Sequence, residues 1–244
     1  MSYQLGTQEL TDKGTWTAVL AEMVGSLILV LMGTAAIVAT DALQGLSGAI
    51  DSARLVVIAL AFGFSYAAVL AVTVGMSGGH INPVVTFAAI LTKRISIAKG
   101  VAYWVGQIAG AILAAFLLQQ LLADAIEGSL GAVAMNVGAL QSLEAGLLVE
   151  GLLGATLVYV VMTTIIVPGR AASPSAPVVV GLVVAAGTLA AFALTGAAGN
   201  PARVLGPALV ADAFNNHLYY WVGPMAGAAV AAFALDYVLL RRAR

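Results

Sequence analysis

The sequence predicts an all-α membrane protein: six transmembrane helices and two re-entrant half-helices, built as an inverted repeat of a three-span unit. Three observations carry this. The 244-residue chain is 61% hydrophobic and 9% charged, with mean hydropathy +1.03, which leaves too few charges to cover a soluble globule. Its apolar residues fall into six long stretches and two short ones. The second half of the chain repeats features of the first in the same order.

Residues 1–15 are polar and carry Glu9, Asp12 and Lys13. They lack the basic start of a cleaved signal and read as a short aqueous tail. Uncharged apolar stretches then cover residues 16–38, 55–74, 101–122, 143–167, 177–194 and 218–240, each near the roughly 20 residues that span a bilayer. Two shorter apolar pieces, 82–91 and 200–210, would each reach only about 15 Å as helices at about 1.5 Å per residue. Such half-spans are tolerated at membrane depth only inside protein or along a watery cavity. With no long segment outside the spans, the chain is expected to form a single transmembrane domain over 1–244, with repeat one at about 16–122 and repeat two at about 143–240.

The repeat is visible residue by residue. Tyr103-Trp104-Val105-Gly106 through Phe116 aligns with Tyr220-Trp221-Val222-Gly223 through Phe233, with ten of fourteen positions identical. The offset there is 117; Asn82-Pro83 and Asn200-Pro201 recur at 118, and the intramembrane acids Glu22 and Glu150 recur in the same order at 128. Three spans per unit is an odd number, so the second copy enters the membrane from the opposite face. Functional sites in such repeats lie near the midplane, at the N-termini of broken helices. Gly106, Gly110, Gly223 and Gly227 are small residues suited to close helix packing.

Charge sets orientation and narrows function. Lys13, Lys93, Arg94, Lys99, Arg170, Arg241, Arg242 and Arg244 fall on one side of a six-span arrangement, expected to be the cytoplasm, with both termini there. Asp41, Asp51, Asp124, Glu127 and Asp212 fall on the other, with Arg54 as its one ordinary base. The location expected is the cell membrane, plasma or inner. A net charge of -1 offers no basic field for nucleic acid. The absence of cysteine excludes disulfides and thiol chemistry. No His pair stands at metal-ligand spacing, and Asp236 lies near the cytoplasmic end beside Arg241, so neither a metal, a cofactor nor an enzymatic activity is expected.

Each short piece opens with Asn then Pro, a strong helix start: Asn caps, and Pro occupies the first helical position at no cost. The runs before them, Ser77-Gly78-Gly79-His80-Ile81 and Gly196-Ala197-Ala198-Gly199, are rich in small residues that let backbone lie extended along a narrow lumen. The carbonyls of Gly78, Gly79, His80, Gly196 and Ala198 are the expected acceptors there. Two half-helices entering from opposite faces would meet N-terminus to N-terminus, each presenting roughly +0.5 of a charge. Cations would be repelled from that point.

The boxes Ser-Gly-Gly-His-x-Asn-Pro at 77–83 and Gly-Asn-Pro-Ala-Arg at 199–203, with Ala21-Glu22-x-x-Gly25 in span one, resemble the signature motifs of aquaporins, members of the major intrinsic protein family. The resemblance covers nearly the whole chain. It implies an hourglass pore in each subunit of a homotetramer, passing water or small neutral solutes down their gradient and excluding protons and ions. It implies that the boxes Asn82-Pro83-Val84 and Asn200-Pro201-Ala202 form the pore centre, with the Asn82 and Asn200 amides donating to passing water. Val84 departs from the usual Ala, with a small change in packing expected. Glu22 and Glu150 would brace the loop of their own half. His80 would order the first loop, with pH sensing as the alternative.

By the same resemblance Arg203 lines the narrowest point near the outer mouth, and an arginine at this depth is functional by default. Family spacing adds Phe62, Thr188 and Ala197 to this selectivity filter. Thr188 and Ala197 are small, so a filter wider than a strict water pore is expected. Val204 after Arg203, with Ala208, Tyr220 and Trp221, resembles the water-channel rather than the glycerol-channel pattern. Ammonia, urea or glycerol facilitation remains the alternative, and an ion-coupled secondary transporter the rival of another class. Tyr3, Trp16, Tyr219 and Trp221 read as interfacial or packing aromatics, and His217 as an interfacial residue opening span six.

Overall fold

A computed structural model describes residues 4–45, 49–122, 130–166 and 172–239. Tyr3, Asp124, Glu127, Arg170, Arg241, Arg242 and Arg244 lie outside the described residues. Among the described residues there are eight α-helices: α1 Lys13–Leu43, α2 Ser52–Ser77, α3 Pro83–Leu91, α4 Ile97–Leu121, α5 Leu143–Val161, α6 Ala176–Thr195, α7 Pro201–Val210 and α8 Tyr219–Phe233. Helices α1, α2, α4, α6, and α5 together with its π-helical extension Met162–Ile166, are each long and apolar enough to cross a membrane. The sixth span, α8, continues as the π-helical segment Ala234–Leu239. The short α3 and α7 are the half-helices.

Local chemistry sets the helix ends. Asp12, Asp51, Ser96 and Ser142 each cap their helix by accepting a backbone N–H with the side chain, which satisfies donors that the first turn leaves orphaned. Helices α2 and α6 both stop at a left-handed glycine, Gly78 and Gly196.

Packing repeats the duplication. Helix α1 lies on α4 and α5 on α8; α2 lies on α6 across the boundary between repeats; half-helix α7 packs on α4, and α3 on α8. Each half-helix thus rests against the last span of the other repeat. Glycine permits this closeness. A Cβ on Gly110 would stand 2.1 Å from the Met23 carbonyl oxygen, and one on Gly227 only 1.8 Å from that of Gly151. Helices in lipid have little hydrophobic force between them, so this backbone contact supplies the attraction.

The structure adds contacts at four places and changes the reading of Arg54. Residues 4–11 are not a free aqueous tail: the carbonyls of Gln4 and Leu5 accept from Ile97 and Ala98 at the start of α4, and Thr7–Thr11 form a 3-10 turn. Arg54 is no ordinary surface base. It is buried, pairs with Asp41 at 2.9 Å, and donates to Thr40 Oγ1 and the Ala49 and Ile37 carbonyls, tying α1 to α2. Asp236 meets Arg94, at the end of the first half-helix, in an ion pair. His217 precedes α8, and its Nε2 accepts the Trp221 indole N–H at 3.1 Å.

Candidate functional site

The two re-entrant loops share one backbone design. Gly78, Gly79 and Ile81 in the first, and Gly196, Ala197 and Gly199 in the second, all have positive φ. Left-handed conformations turn successive N–H groups to one side, and a carboxylate meets them in each half. Glu22 accepts from His80 N at 2.9 Å, Ile81 N at 2.6 Å and Ser77 Oγ at 2.6 Å. Glu150 accepts from Ala198 N at 3.0 Å, Gly199 N at 2.7 Å and Thr195 Oγ1 at 2.6 Å. Tyr103 donates to the Ser77 carbonyl and Tyr220 to that of Thr195. The hydroxyl of residue 77 or 195 in turn accepts from the N–H two residues on. Charge-assisted bonds of this kind are roughly twice as strong as neutral ones, which holds Ile81 and Ala197 in a conformation that side chains disfavour.

The first half adds a network of its own. Gln107 Nε2 donates to Glu22 at 2.7 Å and to Thr86 Oγ1 at 3.0 Å. Thr86 Oγ1 also meets His80 Nδ1 at 3.0 Å, and the His80 ring stacks edge-on against Tyr103. In the second repeat Pro224 occupies the position aligned with Gln107. The string Gly75-Met76-Ser77-Gly78-Gly79 has the spacing of a hydrolase nucleophile elbow, but it ends a helix rather than a strand, and the Ser77 hydroxyl donates to Glu22.

These loops deliver two helix starts to one place. Asn82 Oδ1 accepts from Val84 N at 2.8 Å, and Asn200 Oδ1 from Ala202 N and Arg203 N. Their amide nitrogens cross over: Asn82 Nδ2 donates to the Gly199 carbonyl at 2.9 Å, and Asn200 Nδ2 to the Ile81 carbonyl at 3.1 Å. Each NH2 carries two hydrogens, so one is used in the crossing. Pro83, Val84, Pro201 and Ala202 are buried behind the asparagines. Val84 is fully buried in the main apolar core.

A cavity of about 340 Å³ opens beside the asparagine pair. Asn82 and Asn200 line it together with Phe62, Thr188, Ala197, Ala198 and Arg203, so the four proposed filter positions share one space. Tyr66 also lines it, donating to the His80 carbonyl at 3.0 Å. Arg203 is buried, its guanidinium 5.0 Å from the Phe62 ring centroid, and its Nη1 donates to the Gly131 carbonyl at 3.4 Å. Its Nη2 has no hydrogen-bond partner among the described residues. Gly78, Gly79, His80 and Gly196 do not line this cavity.

The connection between α4 and α5, which the sequence marks only as a connection, reaches into this mouth. Gly131 supplies the carbonyl for Arg203, Val133 presses on Gly196, and Asn136 binds the carbonyls of Ala193 and Leu194. Gly131 has φ +73, a conformation that glycine adopts without strain.

The family model described as Major intrinsic protein matches residues 9–235. The chain belongs to the major intrinsic protein family. Relatives within that family include Probable aquaporin TIP3-2 of Arabidopsis thaliana, 40% identical over 95% of this chain and 87% of its own length. Aquaporin-4 of Mus musculus is 38% identical over 93% of this chain and 70% of its own. Among solved structures, the aquaglyceroporin from Plasmodium falciparum superposes with a TM-score of 0.75 at 20% identity, covering 93% of this chain and 98% of that one. The last comparison bears on fold: six spans and two half-helices are the architecture of this major intrinsic protein.

Proposed function

We propose that this major intrinsic protein is a passive transmembrane channel for water that excludes protons and ions. The observation that carries the reading is the convergence of two capped half-helix N-termini at one lumen, each asparagine clasped to the other's loop. Two partial positive charges at that point disfavour a cation. The remaining amide hydrogens of Asn82 and Asn200 would donate to a water oxygen, orienting it so that a proton relay through the midplane is broken. Arg203 with Phe62, Thr188 and Ala197 would form the filter, the unpartnered Nη2 offering a donor to a passing solute. The relatives named as aquaporins support this reading.

Thr188 and Ala197 are small, which favours, as a second reading, some passage of ammonia, urea or glycerol, since size alone discriminates weakly. An ion-coupled carrier fits less well, because both intramembrane carboxylates spend their oxygens on their own loops. Homotetrameric assembly, with both termini on the cytoplasmic side of a cell membrane, belongs to the same proposal. Vesicles holding the pure protein, tested with water, glycerol, urea and ammonia side by side, test the solute order. Water fastest relative to protein-free lipid supports the proposal; a glycerol or urea enhancement exceeding that for water would replace it with the second reading.

A further inference from the structure

Phe62 has a neighbour one helical turn deeper on the same face of α2. Residues four apart share a helix face and stand about 6 Å apart along the axis, and Tyr66 follows Phe62 at that interval. On α6, which ends at the second loop as α2 ends at the first, Val184 precedes Thr188 by the same interval. All four residues line the cavity beside the asparagine pair. The lumen therefore has two layers: Phe62 and Thr188 at the level of Arg203, and Tyr66 and Val184 a turn further in, toward Asn82 and Asn200.

The internal repeat shows how unequally the inner layer is filled. Aligned on the Asn-Pro boxes, Tyr66 stands where the second half carries Val184, and His80 where it carries Ala198. The Tyr66 hydroxyl donates to the His80 carbonyl at 3.0 Å; Val184 has no group that could do this for Ala198. Ala198 lines the cavity, whereas of residues 77–83 only Asn82 does. The phenol thus stands over the first loop's carbonyl and takes its place on the wall.

The ring is held at both ends. Tyr66 is 2% exposed and packs in the main apolar core with Leu29 and Phe62, and its tip is fixed by the bond to His80. Its one hydroxyl hydrogen is spent there, so it offers a passing solute bulk and lone pairs but no donor. Thr188 and Ala197 give the outer layer little bulk, which leaves the inner ring as the larger obstacle to anything wider than water. We propose that Tyr66 is a specificity-determining residue: its ring is a second sieve, one turn below the filter, that favours water over glycerol and urea. The inference rests on the water-channel reading and adds to it where the size limit lies.

Vesicles holding purified Tyr66→Val, Tyr66→Leu or Tyr66→Phe test this by stopped flow, with water, glycerol and urea fluxes each corrected for protein-free lipid. Tyr66→Val, which copies the second repeat, should raise the ratios of glycerol and urea flux to water flux by about tenfold, the low end of what one methylene of misfit is worth in an apolar pocket. Tyr66→Leu, which fills more of the core, should move them in the same direction. Tyr66→Phe keeps the ring and should hold the ratios near wild type, even though it frees the His80 carbonyl. Unchanged ratios in a folded, water-conducting Tyr66→Val or Tyr66→Leu protein would overturn the proposal. So would ratios in Tyr66→Phe that rise as far as those of Tyr66→Val. A wild type whose water flow never exceeds that of lipid would instead sink the channel reading itself.

Discussion

The side-chain amide of Asn82 donates to the carbonyl of Gly199 at 2.9 Å, across the seam between two half-helices that enter from opposite faces. Asn200 returns the contact to Ile81. Each asparagine therefore does three things: its oxygen caps its own helix, one amide hydrogen closes the opposite loop, and one hydrogen remains.

Replacing Asn82 by Asp keeps the capping oxygen but sets a carboxylate oxygen against the Gly199 carbonyl at a fully buried position. An uncompensated buried charge costs about 3–5 kcal/mol. Thermal denaturation in detergent should show the variant strongly destabilised, and its vesicles should conduct water no faster than lipid. Wild-type stability with wild-type water flow would mean the crossed amides are dispensable.

Gly33 gives Phe62 its place: a Cβ there would fall 2.1 Å from the ring. Gly33→Ala should push the ring toward Arg203, whose guanidinium already lies 5.0 Å from its centroid. Water flux per molecule should fall while folded yield is kept. An unchanged flux would show that Phe62 does not border the narrow point.

Thr188 is buried at the cavity wall with its hydroxyl turned to the Val184 carbonyl. Thr188→His adds a ring and a second polar group to the filter, so the ratio of glycerol or urea flux to water flux should drop. An unchanged ratio would remove Thr188 from the filter.

The buried Arg54 pairs with Asp41, which is half-buried, where α1 ends and α2 begins. Asp41→Ala leaves the guanidinium partly compensated by Thr40, Ala49 and Ile37, so the cost should fall below the roughly 3–5 kcal/mol of an uncompensated buried charge. The expected result is a lowered melting temperature with unaltered solute ratios. A change in the ratios without loss of stability would contradict a purely structural role.

The half-helices, the boxes and the repeat could be read from the sequence because their chemistry is local and written twice. Asn followed by Pro starts a helix wherever it stands, and an acid inside an apolar span demands a partner. The buried Arg54 could not be read so. Its partner Asp41 is reached only when α1 runs past its expected end and α2 folds back beside it. The clasp of Gln4 and Leu5 on α4 and the carbonyl that Gly131 offers to Arg203 are backbone contacts, which leave no mark on residue type.

The most direct test joins two rates on one preparation: osmotic water flow and proton leak, by stopped flow, in vesicles with and without the purified protein. Opposed, capped helix starts predict water flow well above that of protein-free lipid with a proton leak equal to it. Water flow no faster than lipid, or a proton leak that rises with the protein, would contradict the account.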